Sequence, residues 1–195
     1  MEEKLRDLLQ EMEELGKRND SDVKERPRRM LNITQDTGAF LCALIHAAAA
    51  RRILEIGTSN GYSTLWLAQA AQATSGTVTT VEISDYKIQM ARKNFDRSGY
   101  GQLIAIVHEK AQQVLLRTPD AAYDFVFLDA ERPEYPQLWS DLKRVLRRGG
   151  ALVADNATSH PDEMAPFLEC VKSDADFVSS LIPIGNGEFL AVKTL

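Results

Sequence analysis

Glu55-Ile56-Gly57-Thr58-Ser59-Asn60-Gly61-Tyr62-Ser63 joins an apolar run, RRILEI, to a segment with helical spacing, and it gathers small and hydroxylated residues where the chain must turn. Such a loop can seat a ligand through N–H groups and hydroxyls. Glycine at 57 permits close backbone approach, while Gly61, Tyr62 and Ser63 open the next helix, whose N-terminal N–H groups suit a carboxylate. Gly57 and Gly61 stand four residues apart, which departs from the G-x-G-x-x-G spacing of a dinucleotide loop. No lysine-serine or lysine-threonine pair follows, as a triphosphate loop requires. Glu82, twenty-five residues after Gly57, ends the next apolar run, where a carboxylate can accept from both hydroxyls of a ribose. Carboxylate plus ribose, without phosphate, describes an amino-acid nucleoside.

The elements that must position these residues alternate from Arg51 onward. Apolar runs RRILEIG, GTVTTVEI, LIAIVH, YDFVFLDA and GGALVADN are separated by helical segments such as YSTLWLAQAA, YKIQMARKNFDR and YPQLWSDLKRVLRR. This order predicts an α/β fold with a mostly parallel sheet and helices on both faces. After the helix PDEMAPFLECVKS, the runs FVSSLIPIG and EFLAVKTL are joined by Gly185-Asn186-Gly187, which predicts a C-terminal antiparallel hairpin and brings the count to seven strands. In open sheets of this kind ligands sit beyond the carboxyl ends of the strands, so Gly57, Glu82, Asp129 and Asp155-Asn156 should line one edge. Upstream, Leu5, Leu8, Leu9, Met12 and Leu15 predict an amphipathic helix over 2–16, ended by Gly16 and docked on its own domain or on a second subunit. A polar loop containing Pro27 leads to a helix over 36–50.

With 195 residues and 44% hydrophobic content the chain supports one domain, of which 1–30 form an N-terminal helix and loop and 31–195 the core. The net charge of -5 argues against a nucleic-acid partner, and no apolar window approaches membrane-spanning length. A cytoplasmic location is expected. Cys42 and Cys170 lie far apart at helical positions, as reduced buried thiols would, and Trp66 and Trp139 read as core.

E-I-G-T-S-N-G-Y-S followed by V-E-I resembles the cofactor site of class I S-adenosylmethionine-dependent methyltransferases. FLDAERPEY and GGALVADNATSH resemble the two metal-binding strand ends of the catechol and caffeoyl-CoA type of O-methyltransferase, and MLNITQDTGAFL resembles that family's cofactor-covering segment. The similarity spans roughly residues 28 to 195. It implies a Rossmann-like methyltransferase fold, S-adenosylmethionine as cofactor, and Glu55, Gly57, Thr58, Ser59, Gly61, Tyr62, Ser63, Glu82, Ile83 and Asp129 around it. Asn32 and Ile33 match positions near the methionyl part, and Ala111 and Gln112 positions near the adenine. It also implies a homodimer and a small hydroxylated acceptor.

The same resemblance implies that Asp129, Asp155 and Asn156 hold a divalent cation. Oxygen-only ligation suits Mg2+, and an ion gripping two adjacent hydroxyls would favour a catechol or vicinal diol. A plainer role for Asp129 and Asp155 is to cap the following helices. Arg132 departs from the family, which usually carries a lysine there to take the acceptor's proton, something a guanidinium cannot do near neutral pH. Arg132 is therefore expected to stabilise an oxyanion, with His160 the neighbour to examine as proton acceptor, although His160 also suits a solvent-facing residue before Pro161. Glu131 stands where some relatives carry an aromatic wall, which implies a more polar acceptor. Tyr135 either packs over the Asp129 strand or begins the next helix. Specificity should reside in the loops 26–30, 131–135 and 157–160. The competing function is a catalytically weakened S-adenosylmethionine-binding sensor or scaffold; a nicotinamide-dependent enzyme fails on the glycine spacing.

Overall fold

Strand β1 (Arg52–Ile56) is an interior strand, third in order, of a seven-stranded sheet in the computed structural model, which describes residues 1–195. It pairs in parallel with β2 (Thr77–Glu82) on one side and β4 (Tyr123–Leu128) on the other. β3 (Ile104–His108) extends the sheet beyond β2, and β5 (Leu146–Ala154) beyond β4, again in parallel. β7 (Glu188–Lys193) pairs antiparallel with β5 and with the outer strand β6 (Phe177–Ile182), which is the expected closing hairpin. The order β3-β2-β1-β4-β5-β7-β6 reverses its winding at β1, so a crevice opens between the carboxyl ends of β1 and β4.

The strands are apolar on both faces because helices cover both. Ile53, Phe125, Phe127 and Val153 point to one layer, formed by α1 (Glu3–Asp22), α2 (Gln35–Ala47), α3 (Tyr62–Thr74) and α4 (Asp85–Ser98). Leu54, Val126, Leu128 and Leu152 point to the other, formed by α5 (Ala111–Arg117), α6 (Tyr135–Val145) and α7 (Pro161–Lys172). This two-residue alternation is the pleat of the strands expressed as two cores. Trp66 belongs to the first and Trp139 to the second. Cys42 and Cys170 are free thiols, the first buried and the second half-buried.

One expectation for the N-terminal region needs correction. Helix α1 passes through Gly16 and ends at Asp22, because Gly16 is buried against Asn32 and a Cβ there would lie 2.5 Å from Asn32 Nδ2. The glycine makes room for a neighbour; it does not end the helix. Leu5, Leu8, Leu9 and Met12 are buried within the chain's own first core, so the helix docks on its own domain, with Leu15 left exposed. The stretch 26–28 forms one 3-10 turn, and no helix is long and apolar enough to cross a membrane.

Candidate active site

Three turns continue the sheet by one residue each and so carry the site's first polar groups. Gly57 N donates to Val81 O, Asp129 N to Ile56 O and Asp155 N to Leu128 O, at 2.9 to 3.0 Å. Gly57 adopts φ +106°, and a Cβ there would lie 2.0 Å from Asp129 O, so glycine is required for two strand ends to pass each other. Above this edge lies a cleft of about 670 Å3, lined by Gly57, Ser59, Glu82, Ile83, Ala111 and Asp129 and, further along, by Arg132, Asn156 and His160. All three loops expected to set specificity contribute to it, through Arg26, Pro27, Arg29 and Met30, through Glu131, Glu134 and Tyr135, and through Ser159.

Glu82 anchors the first half of the cleft. Its Oε2 accepts from Ser59 N at 2.9 Å and its Oε1 from Ile83 N and Ser84 N at 2.9 and 3.0 Å. A carboxylate has about four lone-pair directions, so acceptor capacity remains toward the cleft. Ile83, 63% exposed, and Ala111 provide an apolar rim beside it, while Gln112 is exposed on α5 and does not line the cleft.

Several residues of the opening loop lie beneath the cleft and do not face it. Glu55 is fully buried and accepts from Ser63 Oγ, Thr64 Oγ1 and Thr80 Oγ1 at 2.5 to 2.6 Å; burial pushes its carboxyl up to about 7 against those three donors. Thr58 shares a 2.6 Å hydrogen bond with Thr80. Gly61 N donates to Thr58 O and Tyr62 N to Asn60 Oδ1, so two of the N–H groups expected to suit a carboxylate are spent on the loop itself. The sequence marks Glu55, Thr58, Tyr62 and Ser63 as polar loop residues; it does not show that Glu55, Thr58 and Ser63 bond inward, which depends on partners on α3 and the neighbouring strand β2.

A strap spanning Arg29 to Asn32 closes the cleft from above. Met30 O accepts from Ser59 Oγ at 2.8 Å, and Asn60 Nδ2 approaches Met30 Sδ at 3.3 Å. Asp20, at the end of α1, accepts from Met30 N and Leu31 N at 2.8 and 2.9 Å. Asn32 lines the cleft, donates to Met12 O at 3.1 Å, and keeps a buried Oδ1 without a donor; Ile33 is buried in the first core.

At the far end Arg132 is 4% exposed. Its Nε donates to Glu163 Oε2 at 2.8 Å and its Nη1 to Asn156 Oδ1 at 2.9 Å. Asn156 Nδ2 donates to Asp155 Oδ2 at 3.0 Å. Burial, then Asp155 and Glu55, push the Asp129 carboxyl well above the usual carboxylate range; burial also raises Asp155. Glu188 is buried beside Asp155, accepts from Thr37 Oγ1 at 2.9 Å, and is pushed up to about 10 by burial and then by Asp155. Asp155 Oδ1 and Glu188 Oε2 are both buried without a donor, and a proton shared between the two carboxyls would satisfy them. Tyr135 is buried and begins α6, and its hydroxyl accepts from Ala130 N at 2.6 Å, which pins the Asp129 turn. His160 is exposed at the start of α7, with Nδ1 3.0 Å from Ser159 Oγ.

The three residues expected to hold a divalent ion do share one corner, but their atoms are otherwise engaged. Asn156 Oδ1 is taken by Arg132, Asp155 Oδ2 by Asn156, and Asp155 Oδ1 faces Glu188. Of the two aspartates, only Asp129 lines the cleft. As arranged, the set does not fit an ion that needs all three, and the cation seated there is a guanidinium.

The comparisons with known proteins agree with this architecture. The family model described as O-methyltransferase matches residues 5–194. A catechol O-methyltransferase of Mycobacterium tuberculosis is 37% identical over 136 residues, covering 70% of this chain and 60% of that one. Among solved structures, the O-methyltransferase of Streptomyces achromogenes involved in tomaymycin synthesis, in complex with S-adenosylmethionine, is 27% identical with a TM-score of 0.79, covering 100% of this chain and 91% of that one. The O-methyltransferase of Bacillus cereus in complex with S-adenosylhomocysteine shares the fold at a TM-score of 0.81 and 23% identity, over 96% of this chain and 91% of that one. With a family model spanning almost its whole length, the chain belongs to the O-methyltransferase family.

Proposed function

We propose that this protein transfers the methyl group of S-adenosylmethionine to a hydroxyl of a small catechol-like or vicinal-diol acceptor. The cofactor half and the oxyanion half of this reading rest on a single cleft with a ribose-type carboxylate, Glu82, at one end and a buried cation, Arg132, at the other, and the catechol-like acceptor is supported by the similarity to a catechol O-methyltransferase. The residues present fit the cofactor. Glu82 keeps free acceptor capacity for ribose hydroxyls, Ile83 and Ala111 suit a flat base, and the partnerless Asn32 Oδ1 suits an ammonium group. When bound, the sulfonium supplies the methyl group.

The chain's own residues supply the rest. The strap and the β1 loop hold one reactant against Asp129, while Arg132 faces the other from across the turn. Held reactants react as if at very high concentration, which is the principal aid to a simple displacement. Arg132 stabilises the oxyanion on the acceptor oxygen, and the displaced proton goes to His160 on the same cleft wall. Glu131, ion-paired with Arg26 at 3.8 Å across the mouth, makes the acceptor end polar.

The test is transfer of labelled methyl from S-adenosylmethionine to a panel of catechols and hydroxycinnamoyl esters, with Arg132→Ala beside the unaltered chain. Transfer to a diol that falls about 100-fold or more in the variant, the usual cost of losing an oxyanion donor, supports the reading. Cofactor binding without transfer to any diol would favour a sensor or scaffold instead.

A further inference from the structure

We propose that Arg132 is the resident cation of this site and that, held on Asn156 Oδ1 by its bond to Glu163, it occupies the place a divalent ion would need. The guanidinium is 4% exposed, so it is a buried charge and must be satisfied by fixed partners. It has them: Glu163 Oε2 at 2.8 Å on Nε and Asn156 Oδ1 at 2.9 Å on Nη1, two directions of one planar fork. The amide oxygen so used is one of the three oxygens an ion would require, and the amide nitrogen of the same residue is already donated to Asp155 Oδ2 at 3.0 Å. The chain Glu163, Arg132, Asn156, Asp155 is continuous, so an ion entering here must share Asn156 Oδ1 with a buried, ion-paired guanidinium or displace it. Breaking the pair leaves a desolvated guanidinium without its carboxylate, which is more costly than losing a surface contact, although Glu163 itself reaches solvent.

The consequence is methyl transfer that needs no bound metal, with the fixed charge of Arg132 facing the acceptor oxygen. This rests on the functional reading above only for the identity of that oxygen. The occupancy of the site can be tested without any acceptor.

Mn2+ alone is titrated into the full-length protein and into Arg132→Lys, followed by the loss of free Mn2+ signal in electron paramagnetic resonance. Lysine keeps the positive charge but cannot bridge Glu163 and Asn156 as a fork, so a gain in Mn2+ affinity cannot be ascribed to removed charge. The expected result is binding at least about tenfold tighter in Arg132→Lys, lost again when Asp155→Asn is added. Equal affinity in the two chains, or no binding by either, would overturn the proposal. Should the lysine variant fail to fold, the unaltered chain still decides: its melting midpoint is expected to be the same in Mg2+ and in chelator. A clear rise with Mg2+ would overturn the inference, since a ligand that binds only the native state must stabilise it. A failed acceptor screen leaves both of these readouts unaffected.

Discussion

At the scale of single residues, Glu82 is the clearest case of a side chain whose role follows from its place at a strand end. It spends three acceptor directions on Ser59, Ile83 and Ser84 and still borders the cleft. Glu82→Gln keeps the shape but weakens every charge-assisted bond, each worth about 1.5–3 kcal/mol. Calorimetry is expected to show S-adenosylmethionine binding weakened by roughly 10- to 100-fold on that scale, and unchanged affinity would remove Glu82 from the ribose site. Glu82 was legible in the sequence because it follows β1's loop at the spacing a sheet imposes, as were Asp129 and the pair Asp155-Asn156. Glu163 and Glu188 were not. Each meets the site from an element distant in sequence, α7 and β7, and nothing in a linear pattern says that a helix carboxylate will reach Arg132 or that a hairpin residue will lie against Asp155. The departure at Arg132 was visible; the partners that fix its position were not.

At the scale of elements, the β1–α3 loop depends on a hidden carboxylate. Glu55 takes three hydroxyl donors from α3 and β2 and thereby ties the loop to two elements. Its carboxyl is raised from the ordinary 4.5 to about 7, so the native state holds this proton more tightly than the unfolded chain. The contribution to stability is therefore complete below about pH 4.5 and is lost as pH rises through about 7. Urea unfolding at pH 5 and pH 8 is expected to show the unaltered chain losing stability relative to Glu55→Gln, by on the order of 3 kcal/mol at most. A gap that is constant with pH would contradict the raised value. The strap offers a second test of an element. Asp20 accepts from two successive N–H groups of the strap at the end of α1, with Asn19 Oδ1 sharing only Met30 N, so Asp20→Ala should loosen 30–31 without touching the core. Removing two such bonds predicts cofactor affinity weakened by about 10-fold or more, with little change in melting midpoint. This link was not legible in the sequence, because the expected helix stopped at Gly16, six residues short of Asp22.

At the scale of the whole molecule, the question is what α1 does for the fold. An amphipathic N-terminal helix in a chain expected to dimerise suggests an arm for a partner, yet its apolar residues Leu5, Leu8, Leu9 and Met12 are each 5% exposed or less within one chain. They lie in the same core as Ile53, Phe125 and Trp66. Burying four such side chains contributes on the order of 6–10 kcal/mol before entropy is counted, which is comparable with the whole net stability of an ordinary domain. That apolar stripe is therefore not free to hold a second subunit, with only Leu15 of it left exposed. Deleting residues 1–16 separates the two roles. If the helix is an integral layer, the shortened chain should lose most of its resistance to urea and expose the face beneath, whatever its state of association. If the helix were chiefly a dimerisation arm, light scattering would show a well-folded chain of half the original mass with its urea midpoint preserved. The burial of the stripe favours the first outcome, and with it a strap anchored at Asp20 on a helix that the core itself holds in place.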